Sequence, residues 1–196
     1  MQPVTSVQEH AEGHLRVIRS VMERAGAFTA LPASGGILMS AVAFVAGWAG
    51  HGAVEPRQWV VVWLVAAGVA VPVGAFAVAH RARAAGVDLT IGVARRFILT
   101  LSPPVAAGAV LSAALIQRQA YELLPAVWLT LYGAGVVAAG SYSTRVIQGL
   151  GVSFMVVGAA AAFAPWSTST VLVAAGFGGL HLVAGLLVLR HDRRSS

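Results

Sequence analysis

The chain has 196 residues, 58% of them hydrophobic and 10% charged, with a net charge of +6. A soluble domain carries roughly 25% charged residues, so this composition excludes a water-facing globule; the apolar residues run instead in blocks of about twenty, enough to cross a bilayer core. There is no cysteine, and all thirteen basic residues are arginine, which excludes disulfides, iron–sulfur clusters, thiolate-held zinc, cysteine nucleophiles, Schiff-base lysines and a P-loop lysine.

Residues 1–6 read as a loose tail. From about Ser6 an amphipathic helix is expected, with Leu15, Ile18, Met22 and Ala25 on one stripe and Arg16, Arg19, Glu23 and Arg24 elsewhere. Glu12 lies four residues before Arg16, a favourable surface pair. Residues 1–27 are therefore assigned as a cytoplasmic amphipathic helix lying along the interface, and 28–196 as a six-helix transmembrane bundle. The first segment lacks the apolar core of a cleavable signal peptide. Its Leu15, Arg16, Ile18, Arg19, Met22 and Arg24 are candidate contacts to a partner or to lipid.

Six spans are predicted near Phe28–Gly50, Trp59–Ala79, Phe97–Ile116, Leu123–Tyr142, Val146–Ala164 and Thr170–Leu189, with short connections apart from His80–Arg96. The segments on one side hold Arg16, Arg19, Arg24, Arg81, Arg83, Arg95, Arg96, Arg145, Arg190, Arg193 and Arg194; the other side holds Arg57 and Arg118. The positive-inside rule then places both termini in the cytoplasm. The same flanking pattern assigns the positive charge to membrane orientation, not to nucleic acid. Trp59, Tyr121 and Trp166 fall at the predicted outer interface, where aromatic anchors belong.

The chain carries signs of an internal repeat. A shift of 72 residues brings Arg24, Pro32, Gly36, Ser40 and Ala41 onto Arg96, Pro104, Gly108, Ser112 and Ala113, and a shift of 65 brings Val62-Trp63-Leu64 and Gly68 onto Val127-Trp128-Leu129 and Gly133. The expected fold is all-α: six transmembrane helices as three hairpin repeats, preceded by the amphipathic helix. Pro32, Pro103 and Pro104 stand as predicted helix breaks that strip the Phe28, Leu99 and Thr100 carbonyls of their donors; Thr29, Ser34 and Ser102 are near enough to compensate. Breaks at matching places in two repeats point to a transporter site. The alternative is that each proline joins an interfacial helix to a span.

Small residues form seams at Gly36, Ser40, Ala43 and Gly47, at Gly108 and Ser112, at Gly133 and Gly140, and at Gly151 and Gly158, which lets helices approach closely in a tight bundle or across a homo-oligomer. No Asp, Glu, Lys or Arg lies within a predicted span, which disfavours a proton- or cation-coupled pump. The ionisable group deep in a span is His181, on a face with Ala174, Gly178 and Gly185. One reading makes it a ligand-binding residue, proton carrier or haem-iron donor with Met155; the other makes it a histidine bonded to a neighbouring Tyr, Ser or carbonyl. Tyr132, Thr130 and Gln148 are the other polar candidates in the spans. The candidate ligand site is thus His181, Tyr132, Thr130 and Met155. His10, Glu12 and His14 sit in a frayed stretch, so no metal site is assigned, and no cofactor is identified. There is no Gly-x-Ser-x-Gly, His-Glu-x-x-His or glycine-rich phosphate loop to supply a catalytic residue.

The segments Met22-Glu23-Arg24-Ala25 with Phe28-Thr29-Ala30, Leu123-Leu124-Pro125 through Gly135-Val136-Val137, and Gly176-Phe177-Gly178-Gly179-Leu180-His181 resemble a family of small six-span bacterial integral membrane proteins of unknown function. The resemblance spans nearly the whole chain and implies a bacterial inner-membrane location, without an activity. Two functional readings stay open. One is a small-molecule binding or transport module around His181, Tyr132 and the proline breaks. The other is a non-catalytic regulatory or assembly protein whose cytoplasmic helix engages a membrane partner or anionic lipid.

Overall fold

A backbone in hydrocarbon must satisfy its own N–H and C=O groups, which leaves an apolar block of twenty residues little choice but the α-helix. The computed structural model describes residues 32–53, 55–84, 92–141 and 145–195; the amphipathic segment over 1–27, with Leu15, Arg16, Ile18, Arg19, Met22 and Arg24, lies outside them. Within the described residues there are six helices long and apolar enough to cross a membrane. They are α1 (Ala33–His51), α2 (Pro56–Ala84), α3 (Gly92–Gln117), α4 (Leu124–Gly140), α5 (Arg145–Phe163) and α6. The last has three parts: α-helical Ser169–Val173, π-helical Ala174–Leu180 and α-helical His181–Ser195.

Prolines start several of these elements. Pro56 opens α2 and Pro125 sits in the first turn of α4, where a missing N–H costs nothing. Pro32 stands immediately before α1 in extended conformation, as its N-cap. Pro103 and Pro104 behave differently, because α3 runs through both without interruption. Ser102 Oγ donates to the Leu99 carbonyl at 3.3 Å, the group that Pro103 leaves without a donor. α2 likewise continues through Pro72, a residue the spacing of the predicted breaks does not reveal. Between α3 and α4 the chain reverses at Gln119, whose φ of 59° is left-handed. The Ala120 N–H returns to the Leu115 carbonyl and the Gln119 N–H to that of Ile116, closing a Schellman turn.

The helices alternate in direction. α4 and α5 form the most extensive pair, α3 packs on the outside of α4, α1 packs on both α2 and α6, and α6 reaches α4 and α5. α2 and α3 are thus the two edges. α5 and α6, adjacent in sequence, touch less than α4 and α5 do. The small-residue seams lie inside this arrangement. A methyl group on Gly151 would come within 2.7 Å of the Gly133 carbonyl oxygen and 2.6 Å of the Val137 nitrogen, so α4 and α5 meet backbone to backbone. Gly36 of α1 meets the backbone of α6 at His181 and Gly185 in the same way.

At the end away from most arginines, four tryptophans gather. Trp59 stacks on Trp128 at 5.5 Å, meets Trp166 edge-on at 5.0 Å and lies 6.0 Å from Trp63. Trp59, expected as an interfacial anchor, is 2% exposed. Its indole N–H donates to Thr170 Oγ1 at 2.8 Å, which lets the ring leave the interface for the core. Trp48 projects outward at this end instead. The cluster ties the first half of α2 to α4 and α6.

Candidate functional site

Among the described residues, two places stand out as candidate sites. The first is the centre of the bundle. His181 opens the last part of α6, directly after the π-helical segment, and its ring is 1% exposed. The π-helix changes the hydrogen-bond pattern locally, and the His181 backbone N–H turns to the Gly178 carbonyl. The Phe177 carbonyl receives the His181 ring instead, at 2.9 Å from Nδ1. A carbonyl only accepts, so Nδ1 carries a proton. Nε2 lies 2.8 Å from Tyr132 Oη, and in the neutral ring it accepts the Tyr132 O–H. Phe154 and Phe177 close the space around the pair, with ring centroids 5.2 Å and 6.2 Å from His181.

Of the four predicted ligand residues, His181 and Tyr132 form this one hydrogen-bonded unit. Thr130 lies against Gly158 of α5, and Met155 packs on Gly133 with its side chain partly exposed on the outer surface of the bundle. The pair joins α4 to α6 and gives each buried polar group a partner, as hydrocarbon requires. With one nitrogen donating and the other accepting, the imidazole offers no further lone pair to a metal.

The second place is a groove between the start of α1 and the latter half of α2. It is open to the surface and has a volume of about 610 Å³. α1 contributes Pro32, Ser34 and Leu38, and α2 contributes a ladder spaced three and four residues apart, including Val73, Phe76, His80 and Ala84. The two helices touch along one line, where Gly35 approaches Ala77 and Gly74 approaches Met39. Beside that line they diverge, leaving Leu38 53% and Phe76 70% exposed. Phe76 lies 6.1 Å from the His80 ring, and Arg81 also lines this end. Sequence reasoning singled out Pro32 here but missed Phe76 and His80, because a groove between two helices has no signature within either one. The hint that was legible is a histidine next to Arg81 at the end of an apolar run.

Comparison with protein-family models, with curated proteins and with solved structures finds no match to this chain.

Proposed function

We propose that this protein binds a small molecule at its membrane-facing periphery, in the groove between α1 and the latter half of α2. The observation that carries the reading is the groove itself, about 610 Å³ of open volume beside a bundle whose central polar pair is already satisfied. Tyr132 and His181 then serve to hold α4 to α6, and the ligand is met at the edge of the bundle.

In this reading the protein sits in a bacterial inner membrane with both termini in the cytoplasm. Arg81, Arg83, Arg95, Arg96, Arg145, Arg190 and Arg193 all belong to the helix ends on one side, which supports that orientation. The groove opens at the same end and so faces the cytoplasmic leaflet. The helix pairs α1–α2 and α3–α4 descend from one duplicated unit. Supporting this, the aligned Ser40 and Ser112 are both buried and both donate to a carbonyl one turn back, at Ile37 and Gly108.

Native mass spectrometry of the full chain, released from mild detergent, tests the reading. Small-molecule adducts are expected on the wild type, and Leu38→Trp, which fills the groove from an exposed position, should remove most of them. Adducts that persist unchanged in Leu38→Trp would place the ligand elsewhere.

A further inference from the structure

We infer that Tyr132 is a redox-active tyrosine: an oxidising equivalent that reaches the tryptophan cluster moves inward from ring to ring and ends as a neutral radical on Tyr132, whose proton passes to His181 Nε2. The inference concerns the centre of the bundle and stands independently of the groove between α1 and α2.

The oxidisable rings form one connected series. Trp166 is half-buried just before α6, at the end away from most arginines. Trp59 meets it edge-on at 5.0 Å and stacks on Trp128 at 5.5 Å, with 5° between the ring planes. Trp128 and Tyr132 are four residues apart on α4, one turn along the same face, with Cβ atoms about 5–6 Å apart. The series thus runs from the surface of the bundle to its centre. Indole and phenol are among the side chains most readily oxidised by one electron, and each also carries an N–H or O–H that needs a partner in hydrocarbon.

Those partners decide where the oxidising equivalent comes to rest. A ring that has lost an electron becomes far more acidic, and it settles where its proton has a base to go to. Trp59 donates to the Thr170 hydroxyl at 2.8 Å. Trp128 donates to the Ser112 hydroxyl at 2.7 Å, which itself donates to the Gly108 carbonyl. An aliphatic hydroxyl is no base near neutral pH, so neither indole can hand its proton on. Tyr132 differs, because its O–H points at His181 Nε2 from 2.8 Å, and an imidazole ordinarily takes up a proton near pH 6.5. The Nδ1–H is already held by the Phe177 carbonyl at 2.9 Å, so the imidazolium has an acceptor for each of its N–H groups.

The oxidant class that fits a membrane is a lipid alkoxyl radical. At the Trp166 end, RO• takes one electron from the ring series and one proton from water, leaving ROH and hydroxide. Tyr132 supplies that electron through Trp128, Trp59 and Trp166. Its O–H bond breaks, an N–H bond forms at Nε2, and the phenoxyl oxygen stays hydrogen-bonded to the imidazolium. The proton moves only along the 2.8 Å hydrogen bond, so the centre of the bundle needs no proton path to water.

The test oxidises the full chain in detergent micelles with a flash-generated ruthenium(III) polypyridyl complex, a water-soluble one-electron oxidant. The chain has three tyrosines, so the parent for these measurements carries Tyr121→Phe and Tyr142→Phe. Electron paramagnetic resonance of the parent should show a tyrosyl radical, and electron–nuclear double resonance a proton shared between its oxygen and a nitrogen. Adding Tyr132→Phe should leave the radical on tryptophan. Adding His181→Phe should lower the tyrosyl yield about tenfold or more, because the phenol loses the hydrogen bond to the group that becomes charged. Trp128→Phe should slow the appearance of the radical. A parent that traps the radical on tryptophan overturns the inference, as does an undiminished tyrosyl yield in His181→Phe that keeps its helical circular dichroism. An unchanged rate in Trp128→Phe overturns the ring series. Should His181→Phe fail to fold, the parent decides by itself: a tyrosyl oxygen with no nitrogen-bound proton beside it refutes the transfer to His181, and one with such a proton supports it.

Discussion

The α4–α5 seam and the α1–α2 edge are both built by antiparallel helices rich in Gly, Ala and Val, yet one closes and the other gapes. Along the seam, small residues face backbone: Gly133 against Gly151, Gly140 against Gln148, and Gly158 against Thr130. Along the edge, Gly50 meets the indoles of Trp59 and Trp63 at one end, and toward the groove the close approaches are Gly35 with Ala77 and Gly74 with Met39, whose flexible thioether fills what a backbone would fill elsewhere. Past that line stand Leu38 and Phe76, both exposed and neither covered by a third helix among the described residues. The position of a small residue decides its effect: opposite backbone it closes a seam, and beside an uncovered bulky residue it leaves a groove.

The sharpest way to break this comparison is a methyl group on each side. Gly151→Ala should cost about 1–3 kcal/mol, as overpacking a closed interior does, and Gly151→Leu should prevent recovery of folded protein. Gly68→Ala on α2, where an added Cβ meets nothing within 4 Å, should be neutral or stabilising by about 0.5–1 kcal/mol, because Gly is a poor helix former. Reversible unfolding in mixed micelles reads both. Equal costs at the two sites would remove the backbone-contact account of the α4–α5 seam.

Next in size is the polar pair that joins the closed half. His181→Ala and Tyr132→Phe should each destabilise by about 1–2 kcal/mol, since each leaves a buried polar group without its partner. Their double-mutant cycle should give a coupling of about 0.6–1.7 kcal/mol, the range met for hydrogen bonds between membrane helices. A coupling near zero would mean that the two side chains are not bonded.

The smallest expected difference lies between Trp63 and Trp128, which a shift of 65 residues along the sequence aligns. Trp128 donates its indole N–H to Ser112 Oγ at 2.7 Å, whereas the buried Trp63 Nε1 has no acceptor among the described residues. Trp128→Phe should therefore cost about 0.5–1.5 kcal/mol more than Trp63→Phe. A larger loss at Trp63 would reveal an acceptor for its N–H that the bundle itself does not supply.

How much of this was legible beforehand differs by element. The spans were, to within a few residues: α5 was expected at Val146–Ala164 and forms at Arg145–Phe163, because block length and hydropathy are local properties. The seams were legible as glycine and serine spacings, though not which helix each would meet. Pro103 and Pro104 looked like breaks and are spanned by a continuous helix, in which Ser102 meets the Leu99 carbonyl that Pro103 abandons. His181 was legible as the ionisable group deep in a span, and Tyr132 as one of several other polar residues within the spans. The π-helical turn that points the Phe177 carbonyl at the His181 ring was not, because α-helical periodicity carries no sign of a local change in winding.

What the sequence by itself determined is the class and the spans: apolar blocks long enough to cross hydrocarbon, with arginines gathered at alternate ends. Those follow from the cost of burying backbone and charge in lipid, which acts on each segment separately. Only the tertiary structure decided which helix covers which. Contact between α4 and α5, the exposure of the latter half of α2, and so the groove beside Phe76 and His80 depend on how side chains from distant segments interlock. In a bilayer every helix face is apolar, so hydropathy cannot say which face finds a neighbour and which is left to lipid.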